Sequence, residues 1–234
     1  MKDPIEQLMN FGLSRQEAKI YYLLLTEGAM SGYEAAKRAG LSRSNVYGAL
    51  SGLAEKGAAY VMEEQSVRYQ PVPVKEFCGN KLRAFAEISR QLEKLIPEEI
   101  PDNQNYVTIH GRTNIEDKCR NMLGAAQLRV YFSVSSRLMP LYQKELKQLI
   151  SDGKKVVLLT EKDFQLDGAI HYEKKHEDCQ FHLIADSRYA LTGEFQDRLH
   201  STALFSGNPN LVKLLKSALA NEMKLIRIND PRME

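Results

Sequence analysis

The chain has 234 residues, room for two small domains. Its 43% apolar and 26% charged content is that of a soluble, packed protein, and a formal net charge of +2 excludes a polyanion-binding field spread over the whole surface, so any nucleic-acid contact must be a local patch. Cys78, Cys119 and Cys179 are odd in number and far apart; with no secretory leader they point to a reduced cytoplasm, and apolar runs such as Val156 to Leu159 are too short to cross a bilayer.

In chain order, residues 1 to 57 read as helices with short punctuation. "SRQE" at Ser14 to Glu17 is a capping box, and the helix behind it carries Ala18, Tyr21, Leu24 and Leu25 on one side and stops near Gly28. "SGYE" at Ser31 to Glu34 is a second capping box, opening a short helix that ends at Gly40. Ser42 caps a third helix, Ser42 to Glu55. "AAYVM" and "VRYQP" around "EEQS" read as a hairpin, giving the order helix, helix, helix, hairpin. From Val74 to Ile96 the pattern is again helical, with Cys78, Phe85 and Leu92 seven apart, and Ile88 and Leu95 likewise, broken at Lys81: a short coiled-coil-like seam that predicts dimerisation through Phe85, Ile88, Leu92 and Leu95. "PEEIPDNQN" is the expected linker.

Beyond the linker, strands are expected at Tyr106 to His110, Leu128 to Val134, Lys155 to Leu159, Phe181 to Ala185, Tyr189 to Gly193 and Thr202 to Ser206. Helices are expected at Asn114 to Ala126, Met139 to Asp152 and Leu211 to Lys224. That alternation predicts a mixed α/β fold.

The helix Ser42 to Glu55 carries two interior glycines, each costing about 1 kcal/mol relative to alanine. At 100° per residue Val46, Ala49, Leu50 and Leu53 form the core stripe. Ser44, Gly48, Ser51 and Glu55 fall opposite, with Arg43 and Tyr47 on one flank and Asn45 and Gly52 on the other. Both glycines are then off the core, which suggests clearance for a closely approaching partner surface such as a major groove. The position where the first two boxes carry glutamate is here Asn45, and no acidic residue occurs from Ala35 to Ala54, while Lys37, Arg38 and Arg43 do. The helix N-terminus adds free amides and partial positive charge. The expected DNA contacts are Lys37, Ser42, Arg43, Ser44, Asn45, Tyr47, Gly48 and Ser51, with Arg68 and Tyr69 of the hairpin reaching sugar-phosphate or minor groove; Glu63 and Glu64 near its tip argue against a clasping wing. The competing reading is an ordinary helical hairpin with a solvated face.

"GLSRQEAKIYYLLL", "LSRSNVYGALSGLAEKG" and "VRYQPVPVKEF", in this order and spacing, resemble the winged-helix domain of TrmB-family transcriptional regulators over residues 8 to 77. The later half is similar, more weakly, to that family's phospholipase D-like regulatory domain. The resemblance implies a dimer on double-stranded DNA, with a small-molecule effector, a sugar or another metabolite, as the expected signal. The chain is short for the family and leaves no room for the extra C-terminal ligand domain of its longer, sugar-binding members.

Active phospholipase D-like proteins use His-x-Lys-x4-Asp. Aligning "FHLIADSRYALTG" on Asp186 puts Cys179 at the histidine and Phe181 at the lysine, with His182 three residues out of step, so that chemistry is not expected; Asp186 is left to cap the turn "DSRY". His171, His176, Cys179 and His182 suggest a metal site only weakly, because a strand at Phe181 to Ala185 points Cys179 and His182 to opposite faces. No cofactor and no metal are expected. The domains are then 1–73 winged helix-turn-helix, 74–97 dimerisation helix and 106–228 regulatory α/β domain. The reading is a sequence-specific, cytoplasmic, dimeric regulator on an inverted repeat; the alternatives are a DNA-tethered phosphodiesterase and a protein-interaction adaptor.

Overall fold

Asp3 starts a helix that the periodic pattern did not reveal. Its carboxylate accepts the Ile5 N–H at 3.0 Å, and Pro4 takes the first helical position, where a missing N–H costs nothing. This helix, α1 (Pro4–Asn10), precedes α2 (Arg15–Glu27), α3 (Gly32–Ala39) and α4 (Arg43–Glu55). The computed structural model describes residues 3–63, 66–96, 105–175, 179–196 and 200–229; the hairpin tip, His176 and all of the expected linker but Asn105 lie outside them. The chain divides into two units, residues 1–99 and 100–234.

In the first unit both capping boxes form. The Ser14 N–H donates to Glu17 at 2.6 Å and the Ser31 N–H to Glu34 at 2.7 Å. The strands β1 (Met30–Ser31), β2 (Ala59–Glu63) and β3 (Val67–Pro71) make an antiparallel sheet in the order β1-β3-β2, so a two-residue strand before α3 completes the expected hairpin. Ile20, Tyr21, Leu24, Val46, Leu50 and Leu53 meet in one core with Val72 and Phe77. Tyr21 donates to the Val72 carbonyl at 2.6 Å, and burial pushes its hydroxyl up to about 12. Phe77 anchors α5 (Val74–Leu95); from Leu82 onward every residue of that helix is exposed, including the seam residues Phe85, Ile88, Leu92 and Leu95.

The second unit is a seven-stranded mixed sheet. Its strands are β4 (Val107–His110), β5 (Arg129–Ser133), β6 (Lys155–Thr160), β7 (Ile170–Glu173), β8 (Gln180–Ala185), β9 (Tyr189–Glu194) and β10 (Thr202–Ser206), in the order β4-β10-β9-β8-β5-β6-β7. Among the described residues only β5–β6 and β6–β7 pair in parallel. Helices α6 (Arg112–Ala125) and α7 (Gln143–Ser151) cover one face through Ile115, Cys119, Leu146 and Leu149, while α8 (Pro209–Asn229) covers part of the other through Val212 and Leu219. Burial on both faces explains the unbroken "VVLL" of β6. The fold class is therefore the mixed α/β expected, with two differences. The expected helix from Met139 begins as a 3₁₀ turn, Met139–Tyr142, ahead of α7; and β7, whose "IHYE" lacks an apolar run, is an additional edge strand.

Candidate nucleic-acid interface

The candidate surface is built from α3, α4 and the turn between them. Ser42, Arg43, Ser44, Asn45, Tyr47, Gly48 and Ser51 are all exposed, while Val46, Ala49, Leu50 and Leu53 are buried, so the helical phasing holds. The α4 cap differs from its two predecessors. Ser42 Oγ accepts the Asn45 N–H at a long 3.4 Å, with no carboxylate closing a box and no acidic residue in the first turn. Its amides are thus less committed than those of α2 and α3, at an end where the helix dipole favours anions.

Two tyrosines shape this end. The Tyr47 ring lies against Gly32, where a Cβ would sit 2.5 Å from the ring; a buried glycine opening α3 makes room for it. Tyr33 stacks beneath Arg43, whose guanidinium lies 4.8 Å from the ring centre, a contact that orients a cation without neutralising it. Sequence reasoning missed Tyr33; its signal was an exposed aromatic in the first turn of the helix before the reading helix. Lys37 is exposed, and among the described residues neither it nor Arg43 has an ion-pair partner.

Four expectations need correction. Arg68 does not project freely. It donates to the Ala29 carbonyl at 2.7 Å and pairs with Glu34 at 3.5 Å, tying β3 to the start of α3, because the register sets it directly opposite Ser31. The Ser31 backbone hydrogen bond, more than Arg68, holds the Glu34 carboxyl below its ordinary value. Tyr69 likewise packs against the core. Arg38, counted in the basic patch, is paired with Glu27. Gly52 is not left clear for a partner: a Cβ there would sit 2.2 Å from Glu17 Oε1, whereas Gly48 has nothing within 4 Å. Glu17 is held by the Ser14 N–H and by Lys56 at 2.6 Å, which together overcome the effect of burial and lower its pKa. One glycine therefore serves the inside and the other faces out.

Residues 8–75 match the family model described as sugar-specific transcriptional regulator TrmB. Over these residues the winged-helix unit is similar to the TrmB family. The chain is also 29% identical over 171 residues to the uncharacterized protein YrhO of Bacillus subtilis strain 168, covering 72% of this chain and 62% of YrhO. It is 27% identical over 135 residues to the HTH-type sugar sensing transcriptional regulator TrmBL1 of Pyrococcus furiosus, covering 53% of this chain and 38% of that protein. The chain thus matches less than two thirds of the length of either relative. Among solved structures, TrmBL2, described as an archaeal chromatin protein with a novel mode of DNA binding, superposes with a TM-score of 0.52 at 19% identity, over 94% of this chain and 97% of that one. That likeness is one of fold, and it extends through both units.

In the second unit, Phe181 is fully buried and stacked on Phe195, with ring centres 4.5 Å apart, while Cys179 is exposed and His182 bonds Thr192 at 2.7 Å. His171 bonds the backbone at Leu166, and among the described residues no group of three His, Cys, Asp or Glu is placed to hold a metal. Asp186 sits in the β8–β9 turn with φ of 53°, but its carboxylate reaches across to accept the N–H groups of Gln127, Leu128 and Arg129 at 2.7–2.9 Å. It fastens the start of β5 and does not cap its own turn. Among the described residues no helix is long and apolar enough to cross a membrane.

Proposed function

We propose that the chain is a DNA-binding transcriptional regulator that works as a homodimer on an inverted-repeat operator. One observation carries the reading: the N-terminal end of α4 presents Ser42 to Asn45, Tyr47 and Gly48 outward beside two uncommitted cations, Lys37 and Arg43. The α4 N-terminus enters the major groove, Arg43 and Tyr47 read base edges, and Lys37 meets phosphate. The apolar ridge of α5 joins two copies, since Phe85, Ile88, Leu92 and Leu95 are each about half or more exposed. Two reading helices about 34–36 Å apart would enter successive major grooves, and a ligand that alters this separation would alter affinity. Capture of genomic fragments on the purified chain tests this. The expected product is a common inverted repeat; DNA retained without sequence preference would refute it.

The second unit, in this reading, senses or dimerises and does no phosphodiester chemistry. Phe181 offers no charge at the lysine position and Cys179 no imidazole at the histidine position. Purified protein should leave bis(p-nitrophenyl) phosphate intact; turnover that disappears in His182→Ala would make the chain a DNA-tethered phosphodiesterase.

A further inference from the structure

A cavity of about 570 Å³ opens at one edge of the seven-stranded sheet, where β4, β5, β6 and β9 reach their carboxyl ends. Metabolite sites occupy about 300–1,000 Å³, and in sheets with parallel strands they gather outside this edge. The strand order lays out the chemistry of the rim. Arg112 opens α6 just after β4, Arg137 follows β5 and Asp163 follows β6, with Cys179 and Gln180 at the start of β8.

Two cations here have donors to spare. Arg112 commits its Nε to Glu116 at 2.8 Å, with its guanidinium 5.8 Å from the centre of the Phe195 ring. Its terminal nitrogens have no partner among the described residues. Arg137 is exposed and likewise has no ion pair there. The first turn of α6 adds amides with no capping side chain and no acidic residue. Glu161, the carboxylate nearest Arg137 in sequence on the lining, is already engaged: it accepts the Ser136 N–H at 2.5 Å and so pins the loop that carries Ser135 and Arg137. Asp163, also on the lining, remains as an acceptor.

We propose that this cavity binds a small phosphate monoester. The phosphoryl group lies on Arg112, Arg137 and the Ser135 hydroxyl, and a carbon end bearing hydroxyl donors faces Asp163. Two planar guanidinium forks and a hydroxyl supply more donors than the two oxygens of a carboxylate use well, and suit the three oxygens of a phosphoryl group. The site stands or falls independently of DNA binding.

Cys179 on the lining is a built-in reporter. It is exposed, whereas Cys119 is fully buried with its thiol pushed up to about 12 and Cys78 is half-buried with its thiol raised. Alkylation by iodoacetamide, read residue by residue by mass spectrometry on the full chain, is the assay, with glycerol 3-phosphate as probe at constant ionic strength. At ten times the concentration giving half-protection, Cys179 should react about tenfold more slowly, as mass action requires, with Cys78 unchanged. Glycerol alone should give no protection. Arg137→Ala, an exposed position, should abolish protection without altering the circular dichroism spectrum, and Arg112→Gln provides a second variant. Absence of protection at tens of millimolar probe, or equal protection in both variants, would overturn the assignment.

Discussion

Gly52→Ala and Gly48→Ala are the same chemical change one turn apart on α4, and they should act with opposite sign. Each removes about 1 kcal/mol of helix cost. At Gly48 nothing lies within 4 Å of the new Cβ, so that gain is kept. At Gly52 the Cβ would sit 2.2 Å from Glu17 Oε1 and 3.2 Å from its Cδ, so the carboxylate must swing away. Glu17 now accepts from the Ser14 N–H and from Lys56, both at 2.6 Å, with its side chain 10% exposed. A hydrogen bond to a charged group contributes about 1.5–3 kcal/mol, so losing one of the two outweighs the propensity gain and leaves a net loss of about 0.5–2 kcal/mol. The two variants should then differ by about 1.5–3 kcal/mol, or roughly 10 °C in midpoint for a unit of this size. Thermal unfolding followed by circular dichroism measures the difference, and hydrogen exchange at α2 and α4 amides assigns it to this unit. In a Glu17→Ala background the clash is gone, and Gly52→Ala should become stabilising by about 1 kcal/mol. If Gly52→Ala raises the midpoint of the unmodified chain as much as Gly48→Ala does, the account of Gly52 is wrong.

On DNA, Arg43→Ala and Tyr47→Ala should each cost about 1–3 kcal/mol of specific binding in an anisotropy titration, while Lys37→Ala should weaken all sequences alike and lower the salt slope by about 1. Arg68→Ala should lower the thermal midpoint and leave the salt slope unchanged, since its guanidinium holds Ala29 and Glu34. Replacing Phe85 and Leu92 with Asp should reduce dimer mass in sedimentation and operator affinity together, with helix content preserved because both are exposed. Asp186 gives a pH signature. Burial raises its carboxyl, but the amides of Gln127, Arg129 and Leu128 outweigh that and hold it below the ordinary value. Its folded pKa being depressed, its contribution is complete above the unfolded value of about 3.9 and is lost as pH falls through the folded pKa. Urea midpoints measured below about pH 4 should therefore fall less steeply in Asp186→Asn than in the unmodified chain.

The unequal legibility of these features has a physical pattern. Local chemistry could be read directly: the capping boxes at Ser14 and Ser31 satisfy their own amides within four residues, and the stripe of Val46, Ala49, Leu50 and Leu53 follows from helical pitch alone. The exposed ridge of α5 was legible for the same reason, since heptad spacing is a property of one helix. Contacts made across the fold were not. Nothing near Gly52 in sequence announces Glu17, thirty-five residues earlier, or says that Lys56 will pin that carboxylate in place. Arg68 looked like a free wing cation because the strand that brings it beside Glu34 is the two-residue β1, too short to leave a pattern.

The exposure of the candidate residues was legible, and the contacts that shape them were not. A helix wheel assigns Arg43 and Tyr47 to one flank, but only the packing of α3 on α4 reveals that Gly32 seats the Tyr47 ring and that Tyr33 carries Arg43. These two contacts are the physical difference between a solvated helical face and a preorganised one. A flexible arginine in water loses rotamer freedom when it docks, at a cost of about 0.5–1.5 kcal/mol, and part of that is already met where a ring holds the guanidinium in place. Tyr33→Ala should therefore weaken specific binding even if Tyr33 touches no base. Its effect should vanish in an Arg43→Ala background, because the two act through one guanidinium. Equal loss with and without Arg43 would instead make Tyr33 a DNA contact in its own right.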